Sequence, residues 1–210
     1  MLQEGFFITF EGIDGCGKST QLNLTAKYLA DHGRSPLILR EPGSTPVSER
    51  IRDLLLDRRL SINPTTELML YLAARAELVR EVIAPAIAAG KIVLCDRFYD
   101  STTAYQGYGR GLNIDLLERL HGLIVEKQRP HLTFLIDVDY ETSLARRKPV
   151  NDRLESESRE FFDRVRNGFM EIAAREKDRI VVLDGRLPVA DIFSEVKNWL
   201  GRKLRPARIE

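Results

Sequence analysis

The sequence predicts an α/β fold in which a five-stranded parallel sheet carries helices on both faces. Three observations predict it. Short apolar runs alternate with longer stretches of helical periodicity, the pattern of strands buried on both faces and joined by crossover helices. The first run, "FFITFE" at 6–11, opens straight into a glycine-rich turn followed by a helix. The 210 residues, 43% hydrophobic and 30% charged, suffice for one globular domain over 1–210 with a real core.

The elements follow in order. A helical pattern runs from Lys18 to about His32 and closes on Gly33. "PLILR" (36–40) reads as the second strand, and the loop "EPGSTP" leads to a helix that Pro46 opens, through about Asp57. A long helix fits 65–89, kinked at Pro85 and closed by Gly90. "KIVLCD" (91–96) is the third strand. A polar, glycine-containing segment (99–111) separates it from a helix over about 113–127. "LTFLIDV" (132–138) is the fourth strand, followed by a helix over roughly 140–147. "RRKPVND" (146–152) breaks the pattern, "ESESREFFDRVRNGFMEIAARE" is helical, "RIVVLD" is the fifth strand, and 188–204 is a closing helix. The final "GRKLRPARIE" reads as a frayed, solvated tail.

Charge and cysteine content narrow the function. With 32 basic and 31 acidic residues the net charge is +1, which lacks the basic excess of a general nucleic-acid binder. Only Cys16 and Cys95 occur, so a disulfide framework is not expected and a reducing cytoplasm is the natural setting. The start "MLQEGFF" carries Glu4 where a signal peptide has positive charge, and no apolar run approaches the roughly 18 residues that cross a bilayer.

The turn after the first strand, "GIDGCGKST", satisfies G-x-x-x-x-G-K-[ST]. Gly12, Ile13, Asp14, Gly15, Cys16 and Gly17 would wrap backbone N–H groups around phosphates. Lys18 adds a full charge, the Ser19 hydroxyl can ligate magnesium, and Ser19 and Thr20 begin a helix whose N-terminus is positive. Strand before and helix after make this a phosphate loop of the P-loop NTPase type, binding a nucleoside triphosphate. A GTPase would add an N-K-x-D base-reading motif, which is absent, so the length and layout suit a small phosphotransferase. Cys16, at a helix N-terminus, is expected to have a lowered thiol pKa; a small inert filler is the alternative of at least equal weight.

Ligands of open parallel sheets bind beyond the carboxyl ends of the strands. Those ends carry Arg40 and Glu41 ("REPG"), Asp96 and Arg97 ("DRFYDSTTAYQGYGRG") and Asp137. Asp96 suits magnesium-bound water, and Arg97 suits bidentate grip of a second phosphate; Asp137 reads as an ordinary cap or surface pair. The segment "LMLYLAARAELV" is apolar almost all round and should be buried, yet it holds Arg75, with Tyr71 four residues earlier on the same face. A buried guanidinium needs an acceptor, and an aromatic plane beside it makes a base-reading pair. A core tyrosine and a snorkelling arginine are the plainer alternative. Arg146, Arg147, Lys148 and Arg153 cluster at the break and form a short candidate lid at about 146–153; a solvated basic loop is the bland alternative.

In this order "FEGIDGCGKST", "REPGST", "LAARAE", "DRFYDSTTAYQGYGRG", "RPHLTFLIDV" and "DRLE" resemble the bacterial thymidylate kinases over nearly the whole chain. The resemblance implies transfer of phosphate from ATP to thymidine monophosphate (dTMP), with Mg2+, in a homodimer. It implies that Asp14 points away from the donor phosphates and accepts from the acceptor's sugar hydroxyl. Lys18 and Ser19 would hold ATP and magnesium, and Glu41 and Asp96 would order magnesium and its water. Arg97 would hold the acceptor phosphate, Tyr71 and Arg75 would read the base, and Thr102, Tyr105 and Gln106 would line the sugar and base pocket. The loop supplies no arginine at Gly15 or Cys16, so Arg147 and Arg153 of the lid are the candidates for transition-state charge. Ser44 stands where the family commonly has a second glycine, and the lid is short and lacks glycine. The rivals are a deoxynucleoside kinase, another pyrimidine monophosphate kinase, and a non-catalytic nucleotide-binding switch.

Overall fold

The computed structural model describes residues 5–125, 127–147 and 153–204. Five parallel strands, β1 (Phe6–Glu11), β2 (Leu37–Arg40), β3 (Ile92–Asp96), β4 (Leu132–Asp137) and β5 (Ile180–Asp184), form one sheet in the order β2-β3-β1-β4-β5. β1 is central and pairs with both β3 and β4. The chain therefore reverses its winding direction at β1, and the crevice this opens lies beyond Glu11, where the phosphate loop begins. β1 and β4 are buried almost throughout because helices cover both faces.

The helices are α1 (Lys18–Asp31), α2 (Pro46–Leu56), α3 (Pro64–Leu78), α4 (Ala84–Ala88), α5 (Tyr99–Thr102), α6 (Ile114–Val125), α7 (Tyr140–Arg146), α8 (Arg159–Arg175) and α9 (Val189–Lys203). Five have side-chain caps with sequence signatures: Thr45 accepts from the N–H of Ser48, Asn63 from Thr66, Asn113 from Leu116, Asp139 from Thr142 and Ser158 from Phe161. One core cluster lies between the sheet and α1 and α9, around Phe10, Leu22 and Phe134. Another, around Phe7, Val93 and Phe98, covers the other side of β3.

The long helix is interrupted just ahead of Pro85: a π-helical turn over Val79–Ile83 joins α3 to α4, so a register shift precedes the proline. The segment from Leu68 is not buried all round. Met69, Ala73 and Ala76 are exposed along one edge, because small residues read as apolar without being covered.

The segment 99–111 departs most from expectation. It is helical, α5 continuing as a π-helical turn over Thr103–Gly109, and nearly every residue in it is buried. Gly107 and Gly109 serve close approach, while Gly111 takes a left-handed conformation at the end of the segment. A Cβ at Gly107 would lie 2.5 Å from the Ile114 side chain, and one at Gly109 would lie 2.7 Å from the Phe161 ring. Tertiary packing has overridden local propensity here.

Behind this helix sits His121 of α6, whose Nε2 lies 3.1 Å from the Thr103 hydroxyl. Burial first, then the Arg75 and Arg129 guanidiniums, push its pKa down to about 3. The unfolded chain takes up this proton near the ordinary pKa of about 6.5 while the folded chain does not. The stability contribution is therefore full above that pH and is lost as pH falls toward 3. The expected loss has a limiting slope of about 1.4 kcal/mol per pH unit. His121→Leu should flatten that slope in urea unfolding between pH 6 and 4; an identical slope in both proteins would place the proton uptake elsewhere.

Candidate functional site

The loop Gly12–Gly17 turns the chain from β1 into α1. Gly12 (φ 136°) and Gly17 (φ 103°) hold backbone conformations that L side chains rarely adopt. A Cβ at Gly12 would also meet the Ile136 carbonyl oxygen at 2.5 Å. Gly15 to Thr20 line a wide cleft bounded by Arg146 and by the loop after β5, Arg186 to Val189. Ile13 turns into the core instead, packed with Phe162 and Val165. Cys16 does likewise at 1% exposure, and burial raises its thiol pKa, outweighing Lys18. The expected lowering is overturned, because a dry neighbourhood disfavours the thiolate more than one helix terminus favours it.

A second pocket adjoins the loop. All eight residues expected to bind the acceptor line it: Asp14, Glu41, Tyr71, Arg75, Arg97, Thr102, Tyr105 and Gln106. They converge from the phosphate loop, the β2 and β3 ends, α3 and the helix after β3. Asp14 lines this pocket, one residue before Gly15, where the lining of the wide cleft begins. Its Oδ1 accepts from Arg97 Nη2 at 2.6 Å and from Lys18 Nζ at 3.2 Å, and Tyr105 Oη lies 3.4 Å from Oδ2. Burial alone would raise its pKa, but Arg97 and Lys18 outweigh burial and hold the carboxyl well below the usual carboxylate range. Asp14 thus does not turn wholly away from the donor side: it balances one cation of each cleft.

Arg97 has φ 69°, a left-handed conformation that costs a non-glycine residue about 1–3 kcal/mol. Its Nη1 donates to the Gly12 carbonyl and the Ser101 hydroxyl, both at 3.0 Å, and its guanidinium lies 5.0 Å from the Tyr105 ring centroid. Ser44 is also left-handed, at φ 71°, which explains the position's suitability for glycine. Its hydroxyl ties it to the Arg40 backbone, accepting from N–H at 2.9 Å and donating to the carbonyl at 3.1 Å.

Arg75 is 1% exposed. It donates to both Glu41 oxygens, the shortest contact being Nη2 to Oε2 at 2.6 Å, and Nη2 also reaches the Thr102 hydroxyl at 2.7 Å. The third nitrogen, Nη1, is buried without a partner among the described residues. With both oxygens engaged, Glu41 orients Arg75; the expectation that it orders magnesium does not match its place. Ser19 and Asp96 do meet, Oγ donating to Oδ2 at 2.5 Å. Asp137 pairs with Arg166, as an ordinary strand-end acid.

The basic cluster divides. Arg147 is docked on the phosphate loop: it donates to the Ser143 hydroxyl and the Asp14 carbonyl, with its guanidinium 4.0 Å from the Phe162 ring centroid. Arg146 donates to the Gly185 carbonyl on the wall of the wide cleft. Arg153 is not brought to the loop. It pairs with Glu67 at 2.6 Å and donates to the Leu55 carbonyl. The buried Glu67 carboxylate demands cations, and Arg110 supplies another. Lys148 and the rest of 148–152 lie outside the described residues, as does the tail from 205.

Sequence reasoning missed Glu67, the loop 185–189 and Glu11. The loop could have been found from the rule that strand ends face the ligand, applied to β5. Glu67 and Glu11 had no signal beyond being acids in apolar surroundings.

A thymidylate kinase family model matches residues 10–196. The thymidylate kinase of Kosmotoga olearia is 47% identical over 192 residues, covering 90% of this chain and 92% of that protein. That of Geobacter sulfurreducens is 50% identical over 190 residues, covering 86% and 89%. The crystal structure of thymidylate kinase from Ehrlichia chaffeensis matches with a TM-score of 0.78 at 37% identity, covering 94% of this chain and 98% of that one.

Proposed function

The chain belongs to the thymidylate kinase family, and from that premise and the two adjoining clefts we propose that it transfers the γ-phosphate of ATP to thymidine monophosphate, giving thymidine diphosphate. One observation carries the acceptor's identity: Arg75 lines the pocket beside the phosphate loop, and its Nη1 is a buried donor without a partner among the described residues. Nearby, Gln106 Nε2 donates to Glu67 at 2.8 Å, which leaves the Gln106 carbonyl as the end available to a base. A donor beside an acceptor matches the O4 carbonyl and N3–H of thymine. Cytosine presents the reverse pair, and each unsatisfied buried group costs about 1–3 kcal/mol.

The acceptor phosphate is ionised at neutral pH and needs no general base. Catalysis is positioning: Arg97 holds that phosphate, Asp14 accepts from the sugar hydroxyl, and Lys18 with the loop N–H groups holds ATP. Ser19 and Asp96 offer hydroxyl and carboxylate oxygens, hard donors that fit Mg2+, which would take its other ligands from phosphate and water. When bound, magnesium neutralises charge on the transferred group.

The test is an acceptor panel with ATP, measuring ADP: thymidine monophosphate, deoxycytidine monophosphate, uridine monophosphate and thymidine. Turnover on the first above the others is expected. Preference for thymidine would identify a nucleoside kinase, and no multiple turnover on any acceptor would identify a switch.

Two further results are expected. Tyr71, packed beside Leu55 and Leu154 while lining the pocket, supplies the stacking plane. Tyr71→Ala should raise acceptor KM about tenfold, from the roughly 1–3 kcal/mol of a base–aromatic stack, with ATP KM unchanged. The second concerns the lid, about 146–153 within a single domain. Arg147 is its catalytic arginine, so Arg147→Ala should lower kcat and kcat/KM together, by up to about 10³-fold. Arg153→Ala should act on acceptor KM through Glu67. Steady-state kinetics separate the two, and unchanged kcat in Arg147→Ala would remove the lid as the source of charge.

The exposed apolar edge of α2 and α3, with Val47, Leu54 and Met69, supports a homodimer that covers it. No described helix is long and apolar enough to cross a membrane. The two buried free cysteines suit a cytoplasmic enzyme.

A further inference from the structure

Glu11 ends β1 one residue before the phosphate loop and is 0% exposed. Among the described residues it is in no ion pair within 4 Å. A buried carboxyl of this kind is costly unless donors satisfy it. Two do. The Phe98 N–H donates to Oε1 at 2.7 Å, and the Ser101 hydroxyl donates to Oε2 at 2.5 Å. Both donors follow the left-handed residue Arg97, whose own N–H donates to the Phe10 carbonyl at 3.0 Å. The Ser101 hydroxyl in turn accepts from Arg97 Nη1.

We propose that Glu11 is the positioning residue for Arg97: it clamps the strained turn through Phe98 N–H and fixes the Arg97 guanidinium through Ser101. The carboxyl touches neither cleft. Its two bonds lock the backbone at Arg97–Phe98 in the conformation that sends the side chain across β1 to Gly12 and Asp14. Without the clamp, Phe98 N–H is left buried and unsatisfied, and a more extended Arg97 backbone becomes competitive. The guanidinium would then leave the place where it meets an acceptor phosphate. Burial, and next the Asp100 carboxylate, push the Glu11 pKa up to about 8, while Ser101, Arg97 and Phe98 N–H act in the opposite direction. Both clamps survive with the group protonated, because Oε1 still accepts from Phe98 and the acid O–H can donate to Ser101.

This inference deepens the reading of the site and rests on Arg97 holding the acceptor phosphate. The experiment is steady-state kinetics on Glu11→Ala, Glu11→Gln, Ser101→Ala and Arg97→Ala, varying thymidine monophosphate and ATP separately. Glu11→Ala should raise the KM for thymidine monophosphate about tenfold or more while leaving the ATP KM within about twofold, as expected for lost acceptors at a buried turn. Glu11→Gln keeps an acceptor for Phe98 N–H and should recover most of that loss. Ser101→Ala should show a smaller rise on the same substrate. Equal rises in both KM values, or no rise in acceptor KM, would overturn the proposal. Should Glu11→Ala fail to fold, unchanged acceptor KM in both Glu11→Gln and Ser101→Ala would overturn it. Arg97→Ala is the control: an unchanged acceptor KM there would refute the role of Arg97 itself, whatever the Glu11 variants do.

Discussion

Arg97→Ala is expected to lower kcat/KM for thymidine monophosphate by about 10²-fold to several 10³-fold, with ATP KM little changed. Removing one partner of a buried, hydrogen-bonded charge pair costs about 3–5 kcal/mol, which corresponds to that range. The loss has two parts. The acceptor phosphate loses its bidentate partner, and Asp14 loses its 2.6 Å contact, keeping the longer ones to Lys18 and Tyr105. Arg97→Lys restores the charge but not the planar fork that reaches Gly12, Ser101 and Asp14 together, so it should recover only part of the rate. Steady-state kinetics with the acceptor varied at saturating ATP check this. Full recovery by lysine would show that charge alone matters.

Arg75→Ala should be the most destabilising single change in the pocket, by about 3–5 kcal/mol in urea unfolding, because it leaves Glu41 buried and uncompensated. It should also abolish preference for thymidine monophosphate over deoxycytidine monophosphate. The two effects separate in the double variant Arg75→Met with Glu41→Leu. Removing both charges restores stability to within about 1–2 kcal/mol, since a buried ion pair is often replaceable by apolar residues. Base discrimination stays lost, because the Nη1 donor is gone. A double variant that regained discrimination would show that another group reads the base.

The fold was legible because its signals are local. Apolar runs bounded by turn residues placed all five strands within a residue or so, and Pro46 and Gly33 marked helix ends where they stand. The phosphate loop and the charged strand ends were legible for the same reason, since the sheet itself brings strand ends together. The 99–111 helix was not, because its glycines are required by Phe161 and Ile114, residues remote or beyond the window of any propensity argument. The partner of Arg75 was legible as a need but not as an identity: burial demanded an acceptor, and only the structure names Glu41. Glu67 and Arg153, 86 positions apart in sequence, illustrate the limit. A lid arginine and a helix acid form one ion pair, and no spacing rule connects them.

The packing of that glycine-bearing helix has a consequence for how this enzyme tolerates change. Ser101, Thr102, Tyr105 and Gln106 ride on one rigid rod that is pressed to contact distance against α8 at Gly109 and again where Tyr108 meets Gly168. A single added methyl group at either contact has no room and must displace the rod. Displacing it moves four pocket side chains at once rather than one. A substitution at Gly109 or Gly168 should therefore disturb substrate binding although neither residue lines the pocket.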